Sequence, residues 1–341
     1  MEIARVGETG TCAKCLGTRR RACTDAKPRM PASITISRPA PPRTLVIGDV
    51  ITDVIVRPEG PLAKGSDRRA TIAFRPGGSA ANQAAWLASF GVEVDFVGRV
   101  GAADVESEAA RLRAIGVTPW LAGDTEHETG RLIALIDPDG ERSFLTDRGA
   151  NDALEAGDIP DALIAQAAFI HFSGYSFFAP SSRAAVLDVM RRAGGKPISV
   201  DPASAEFLRE VGAENFLKWT RGAAILFPNA EEAAILAGSD DPETQCARLA
   251  ALYSLVVVKR GAAGCEAAAG AKRWRAAAPR VEAIDTTGAG DAFVAAFLAA
   301  RHTGTDVQTG LERAVAAGAL ASTIVGGGPS PKAGVRSSAR D

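Results

Sequence analysis

Asp285-Thr286-Thr287-Gly288-Ala289-Gly290-Asp291-Ala292-Phe293, DTTGAGDAF, opens polar and Gly-rich and runs directly into the apolar, Ala-rich segment Ala292 to Ala300. Good helix formers behind such an opening read as a loop feeding a helix N-terminus. That geometry suits an anion. The N–H groups of Ala289, Gly290 and Asp291 would have no partner within the helix, and Gly288 and Gly290 allow positive φ and close approach of a phosphate to the main chain. Asp291 sits in the same turn, where the helix dipole favours its ionised form at neutral pH. This befits a group that orients a hydroxyl and accepts its proton as a phosphoryl group arrives. Phosphoryl transfer asks mainly for positioning and charge stabilisation, and one loop offers both.

Two other readings compete. Half of a dinucleotide fingerprint would need Gly where Phe293 stands, and no βαβ unit with the expected acidic residue follows. An ordinary helix start, capped by Thr286 or Thr287, is compatible with the loop taken alone.

The loop resembles the C-terminal signature of the ribokinase-like (PfkB) family of carbohydrate and nucleoside kinases. Gly77 to Gly91, GGSAANQAAWLASFG, resembles the N-terminal one, and the two stand in the order that family requires. The resemblance runs from about Arg43 to Ser330 and implies an α/β fold: a doubly wound, mostly parallel sheet flanked by helices, with a small β-sheet lid. It further implies ATP- and Mg2+-dependent phosphorylation of a sugar or sugar-acid hydroxyl, with Asp291 as base and the amides of Gly288 to Asp291 as anion hole. A nucleoside kinase of the same fold, or a non-catalytic sensor of sugar or nucleotide, stands as the alternative.

Composition agrees with a globular enzyme. The chain has 341 residues, 46% of them hydrophobic, and a formal net charge of -1, enough for a large core and without the electrostatic footprint of a nucleic-acid binder. No apolar run approaches the roughly 18 residues of a membrane span. Residues 1–42 carry Cys12, Cys15, Cys23, the run Arg19-Arg20-Arg21 and a Pro-rich exit without hydrophobic periodicity, and are expected to be disordered, as is the tail 331–341. Cys12-x-x-Cys15 lacks the further ligands of a tetrahedral zinc site, the nearest His being His127. Only Cys246 and Cys265 lie in the body, as expected in a reducing cytoplasm.

The body, 43–330, opens with the apolar run Thr44 to Ile47, read as the first buried strand of a parallel sheet. Ligands of open α/β sheets bind beyond strand carboxyl ends, which places Asp49 and Asp53 where a substrate would be. Asp53 matches the sugar-contacting Asp of the family and can grip two vicinal hydroxyls; otherwise it is a turn cap. Four short β segments, Asp53 to Arg57, Ala70 to Phe74, Arg131 to Asp137 and Arg142 to Thr146, the last two joined by Pro138-Asp139-Gly140, interrupt the βα alternation. They are the expected lid, within about 53–75 and 130–147, which in the family often serves as a homodimer surface. Gly77 and Gly78 at a helix entrance would let a hydroxyl approach the main chain, and Asn82 offers it a donor and an acceptor. Many sugar-binding members carry Lys where this chain has Ser79, a departure that argues against ribokinase itself. Arg148, after the lid, is read as a contact for a substrate carboxylate. Val94 to Gly98 reads as a strand followed by the loop Arg99-Val100-Gly101, with Arg99 as a loop residue or a solvated charge.

Clean alternation of strands and helices follows from Ala168 to Ala237. Asp201, beyond one strand, is read as a metal or water organiser or a helix cap. Asn229 and Glu232 match the Asn-x-x-Glu motif of the family, implying contacts to phosphate and, through water, Mg2+; the same pair would serve as a capping box. Lys259, Gly261 and Gly264 resemble the nucleotide-side turn, near the ATP phosphates. No GxxxxGK[ST] loop is present. Val307 to Val325 reads as helical before Gly326-Gly327-Gly328, and the resemblance implies an adenine pocket here with a monovalent-cation loop, K+ being the candidate, that includes Asp285 and Thr287. His171, ending an apolar strand, reads as a core residue.

Overall fold

The computed structural model describes residues 42–62, 64–137 and 142–329. Apart from Pro42, the expectations for 1–42, for the turn Pro138-Asp139-Gly140 and for 331–341 lie outside these residues.

In chain order the first half forms β1 (Arg43–Ile47), β2 (Ile51–Pro58), β3 (Ala70–Gly77), α1 (Ser79–Ser89), β4 (Glu93–Gly101), α2 (Val105–Ala114), β5 (Val117–Asp124), β6 (Thr129–Ile136), β7 (Arg142–Gly149), α3 (Asp161–Gln166) and β8 (Ala167–Ser173). The second half forms α4 (Pro180–Arg192), β9 (Ile198–Asp201), α5 (Ala205–Val211), α6 (Ala213–Trp219), β10 (Ile225–Leu226), α7 (Ala230–Ala237), α8 (Pro242–Ala250), β11 (Leu255–Lys259), β12 (Cys265–Ala269), β13 (Lys272–Ala276), α9 (Ala289–His302) and α10 (Val307–Ala321).

The large sheet has the order β13-β12-β11-β10-β9-β8-β1-β4-β5, parallel from β5 through β11 and antiparallel at β12 and β13. Side-chain alternation divides each central strand between two cores. Val46 joins α1, α9 and α10 on one face, whereas Leu45 and Ile47 join α3 to α8 on the other. This is the doubly wound, mostly parallel sheet expected. Its strand order reverses at β1, between β8 and β4, so the carboxyl end of β1 is where a ligand crevice opens.

The second sheet has the order β3-β2-β6-β7 and contains all four expected lid segments. Register puts Asp53 and Ile55 on one face and Val54 and Val56 on the other.

Some expectations are corrected. Arg99-Val100-Gly101 belongs to β4 rather than to a loop, because β5 pairs alongside through Gly101. Arg99 is no solvated charge: it bonds Asp124 at 2.8 Å and Asp158 at 3.0 Å. β5, for which the sequence raised no expectation, contains Pro119 and is an edge strand of the sheet, where a missing N–H is tolerated. α10 ends at Ala321, short of Val325, because the chain turns back to meet the signature loop: Ile284 and Asp285 donate to the Ser322 carbonyl, and Gly326 donates to Asp285.

Candidate active site

Gly288 is the N-cap of α9, at φ +74. A Cβ there would stand 2.3 Å from the Gly327 carbonyl oxygen, a backbone atom with no freedom to retreat, so both the left-handed φ and the close approach require glycine. Gly290 differs from expectation. It lies within the first turn of α9 without positive φ, and its Cβ would meet nothing nearer than Lys259 Nζ at 3.7 Å. Its missing side chain therefore keeps cleft space open rather than permitting a turn. The Ala289 amide is likewise not available to a ligand, since it donates to the Thr286 carbonyl at 3.2 Å. The amides of Gly290 and Asp291, as first-turn groups, have no acceptor within the helix. The N-cap position itself is Gly288, one residue beyond Thr287.

Asp291 is held from α1. Ser79 Oγ donates to its Oδ1 at 2.7 Å and Asn82 Nδ2 to its Oδ2 at 3.2 Å. Burial pushes the carboxyl up to about 8; the Ser79 and Asn82 hydrogen bonds and Lys259 oppose this, and Asp201 adds to it. Loss of water on its protein-facing sides thus works against the ionised Asp291 expected from the helix N-terminus alone. Ser79, passed over as a departure from a pattern, is a direct partner of the candidate base. No local feature marks it, because its partner is remote in the chain.

Asp53 is buried at the base of the second sheet, its carboxylate lying where a Cβ on Gly77 would be, 2.3 Å away. Burial, with Asp49 and Asp285 nearby, pushes Asp53 up to about 6. Gly78, at φ +101, lies against the Asp49 carbonyl, 2.5 Å from where its Cβ would be. Asp49 itself caps α1, its two oxygens accepting from the Ser79 amide at 2.9 Å and the Ala80 amide at 3.2 Å. Arg148 is buried over the Tyr175 ring, 4.3 Å from its centroid, with Nη1 3.5 Å from Asp49. Asn151 anchors this corner by bonding both the N–H and the carbonyl of Val50 and the Arg148 carbonyl.

Asp291 also lines a cleft of about 800 Å³ that holds Asn229, Glu232, Lys259, Gly261, Gly264, Gly288 and Gly290. Lys259 Nζ bonds both oxygens of Asp201 at 2.8 Å. Burial works against its charge, but Asp201 and Glu232 hold it above its ordinary value. Asp201 is no helix cap; Ser204 caps α5. Asn229 and Glu232 do form the capping box, with bonds of 2.8 and 2.9 Å, which leaves one polar atom of each side chain outside it. Burial pushes the Glu232 carboxyl up. Gly264, at φ +92, admits the Ala276 carbonyl, 2.1 Å from where a Cβ would be, so the β12–β13 hairpin already requires it. Ala203, beside the cleft, adopts φ +73 while Ser204 donates to the Pro202 carbonyl at 3.0 Å, a tight turn of a strained kind.

Nucleotide and metal fit these residues. The cleft offers a cation at Lys259, open space over Gly290 and a helix N-terminus. Among the described residues no three His, Cys, Asp or Glu side chains form a metal cage. Mg2+ on a phosphorylated ligand needs none, since it keeps waters and takes one or two carboxylates. Asp285 accepts from the Thr287 amide at 3.0 Å and the Gly326 amide at 3.1 Å, joining the expected cation loop to the chain after α10. His171 is a core residue, as expected, fully buried and bonded to Ser199 and Gln83.

Comparison with known proteins agrees with this geometry. Residues 42–333 match the model of the pfkB family carbohydrate kinases. An ATP-dependent ribose-1-phosphate kinase of Halopiger xanaduensis is 33% identical over 303 residues, covering 85% of this chain and 95% of its own. Among solved structures, adenosine kinase of Sinorhizobium meliloti superposes with a TM-score of 0.77 at 26% identity, covering 85% of this chain and 96% of its own. An E. coli protein assigned as a ribokinase II, solved with ATP and Mg2+, does so with a TM-score of 0.74 at 25% identity, covering 84% and 94%. The chain belongs to the pfkB family of carbohydrate kinases, phosphotransferases whose acceptor is an alcohol group.

Proposed function

We propose that the chain phosphorylates a hydroxyl of a sugar or sugar acid, using ATP and Mg2+. The observation that carries this reading is the position of Asp291: tethered to α1 by Ser79 and Asn82, it stands at the head of the cleft that contains Lys259 and Gly290. When bound, Mg2+ and ATP supply the phosphoryl group and neutralise its oxygens, with Glu232 reaching the metal through water and Asn229, Lys259, Gly261 and Gly264 on the nucleotide side. Asp53 grips two acceptor hydroxyls, while Gly77, Gly78 and Asn82 line their approach. Asp291 takes the proton of the attacking hydroxyl, and the Gly290 and Asp291 amides, with the α9 N-terminus, meet the developing negative charge. Asp285 and Thr287 are the proposed seat of a K+ ion. Arg148, already compensated by Asp49, favours a neutral acceptor over a sugar acid unless Asp49 turns away.

A nucleoside acceptor is the second reading, favoured by one observation. Phe74 pairs with Val54 and so faces away from Asp53, but Phe144 pairs with Ala134 beside Ile55, on the Asp53 face of the lid. An exposed ring there can stack on a base. ADP release measured with D-ribose, D-fructose, ribose 1-phosphate, 2-keto-3-deoxygluconate and adenosine decides among these. Binding of sugar and nucleotide without turnover of any acceptor would leave the sensor.

The opposite lid face supports a homodimer. Phe74, Val54, Ile133 and Leu145 pair in one row across the four strands with Ile72 and Val56 beside them, and Phe74, Leu145 and Ile72 are 66%, 60% and 56% exposed. An apolar face of this breadth on a sheet needs cover, and a second copy of the same face supplies it.

A further inference from the structure

Behind Asp291 lies a chain of hydrogen bonds that phosphoryl transfer, as set out above, does not use. Gln83, fully buried on α1 one turn after Ser79, reaches three groups. Its Nε2 is 3.2 Å from Ser79 Oγ and 3.1 Å from Asp201 Oδ2, and its Oε1 is 2.7 Å from His171 Nε2. His171 Nδ1 is 2.6 Å from Ser199 Oγ.

Every proton direction in this chain follows from chemistry. The Asp201 carboxylate, taken up by Lys259, can only accept, so the Gln83 amide nitrogen must face it and the amide oxygen must face His171. His171 is therefore protonated on Nε2. Burial, with Lys259 nearby, pushes its pKa down to about 3, so Nδ1 is bare and accepts from Ser199. The second N–H of Gln83 occupies a lone pair of Ser79 Oγ, which turns the hydroxyl hydrogen toward Asp291 Oδ1.

We infer that Gln83, oriented by His171, is a positioning residue: its amide aims the Ser79 hydroxyl at Asp291 and at the same time holds Asp201 on Lys259, tying the acceptor side of the site to its phosphate side. In this the inference rests on the kinase reading. Its structural content does not, because the same bonds bias the proton affinity of Asp291 whether or not a substrate turns over. Asp291 is faced by Ser79 and Asn82 from α1, Asp201 from β9 and Lys259 from β11, with Tyr175 farther off. Of these, Ser79 is the group whose hydrogen Gln83 directs.

The test is a double-mutant cycle read by ¹³C carboxyl NMR, with the Asp291 signal assigned by its loss in Asp291→Asn. Gln83→Met, close in volume and without an amide, should move the Asp291 titration midpoint upward by about half a pH unit to one unit, the scale of one hydrogen bond. Ser79→Ala should do the same, and the double variant should match Ser79→Ala alone. An unmoved midpoint in folded Gln83→Met, or full additivity in the double variant, overturns the proposal. If Gln83→Met does not fold, Gln83→Asn, whose amide is one methylene too short, replaces it with the same expected shifts. Kinetics separates this result from the kinase reading. For an acceptor that wild type phosphorylates, Gln83→Met should lower kcat about tenfold with both KM values nearly unchanged, and a raised KM at unchanged kcat counts against it. A wild type that phosphorylates nothing overturns the kinase reading while the NMR cycle still decides Gln83.

Discussion

Ser79 Oγ lies 2.7 Å from Asp291 Oδ1, a bond between residues 212 positions apart. It joins the first residue of α1 to the first turn of α9, so two glycine-containing helix starts meet at one carboxylate. Such a bond makes the candidate base part of a rigid corner between two helices rather than a free side chain at a helix end.

Replacing the base while keeping its shape isolates proton transfer. Asp291→Asn should lower kcat by about 10² to 10⁴, the usual contribution of a general base, while ATP and acceptor still bind. Isothermal titration on the variant checks binding, and retained turnover at the wild-type rate would remove Asp291 from its role.

The raised pKa of Asp291 has two pH signatures. In the free enzyme kcat/KM should climb with pH and level off above about 8, since the base must be unprotonated. Stability runs the opposite way. A carboxyl that binds its proton more tightly in the folded state contributes stability below its unfolded value, and that contribution is lost as pH rises from about 4 through about 8. Asp291→Asn removes this loss, so its Tm should exceed that of wild type by a few degrees at pH 9 and equal it at pH 4. Parallel melting curves at both pH values are the check.

The two glycines of the loop should fail differently. Gly288→Ala meets the Gly327 carbonyl and a positive φ, and should destabilise the protein by about 1–2 kcal/mol or more. Gly290→Ala sits in helical backbone with room for its methyl and should be neutral or stabilising by up to about 1 kcal/mol, yet weaken nucleotide binding by filling the cleft. Denaturant melts and nucleotide titrations on the pair would expose the error if both lost stability alike.

Phe74→Asp tests the outer face of the lid. Since Phe74 points away from Asp53, the charge should dissociate a lid-mediated dimer without lowering turnover per chain by more than about twofold. Sedimentation at several concentrations reads this directly, and an unchanged molecular mass would place any dimer elsewhere.

Local physics sufficed for the frame. Apolar strands at Thr44 to Ile47 and Leu255 to Val258, βα alternation, and the Gly-rich start of α9 act over a few residues, and the structure realises each near its expected bounds. The capping box of Asn229 and Glu232 is likewise a matter of i to i+3 spacing and was legible from the chain. β5 was not, because Pro119 suits a strand only at a sheet edge, and which strand lies at the edge is a property of the whole sheet. Arg99 looked solvated because Asp124 and Asp158 come to it from distant segments. The protonation of Asp291 is the clearest case. Its local sequence, a carboxylate at a helix N-terminus, argues for ionisation, and only tertiary packing of α1, β9 and β11 around it decides how much water it keeps. Hydrogen-bond geometry and desolvation depend on atoms brought together by folding, so the chain alone specified where a candidate base stands, and the folded structure decides how tightly that carboxyl holds its proton.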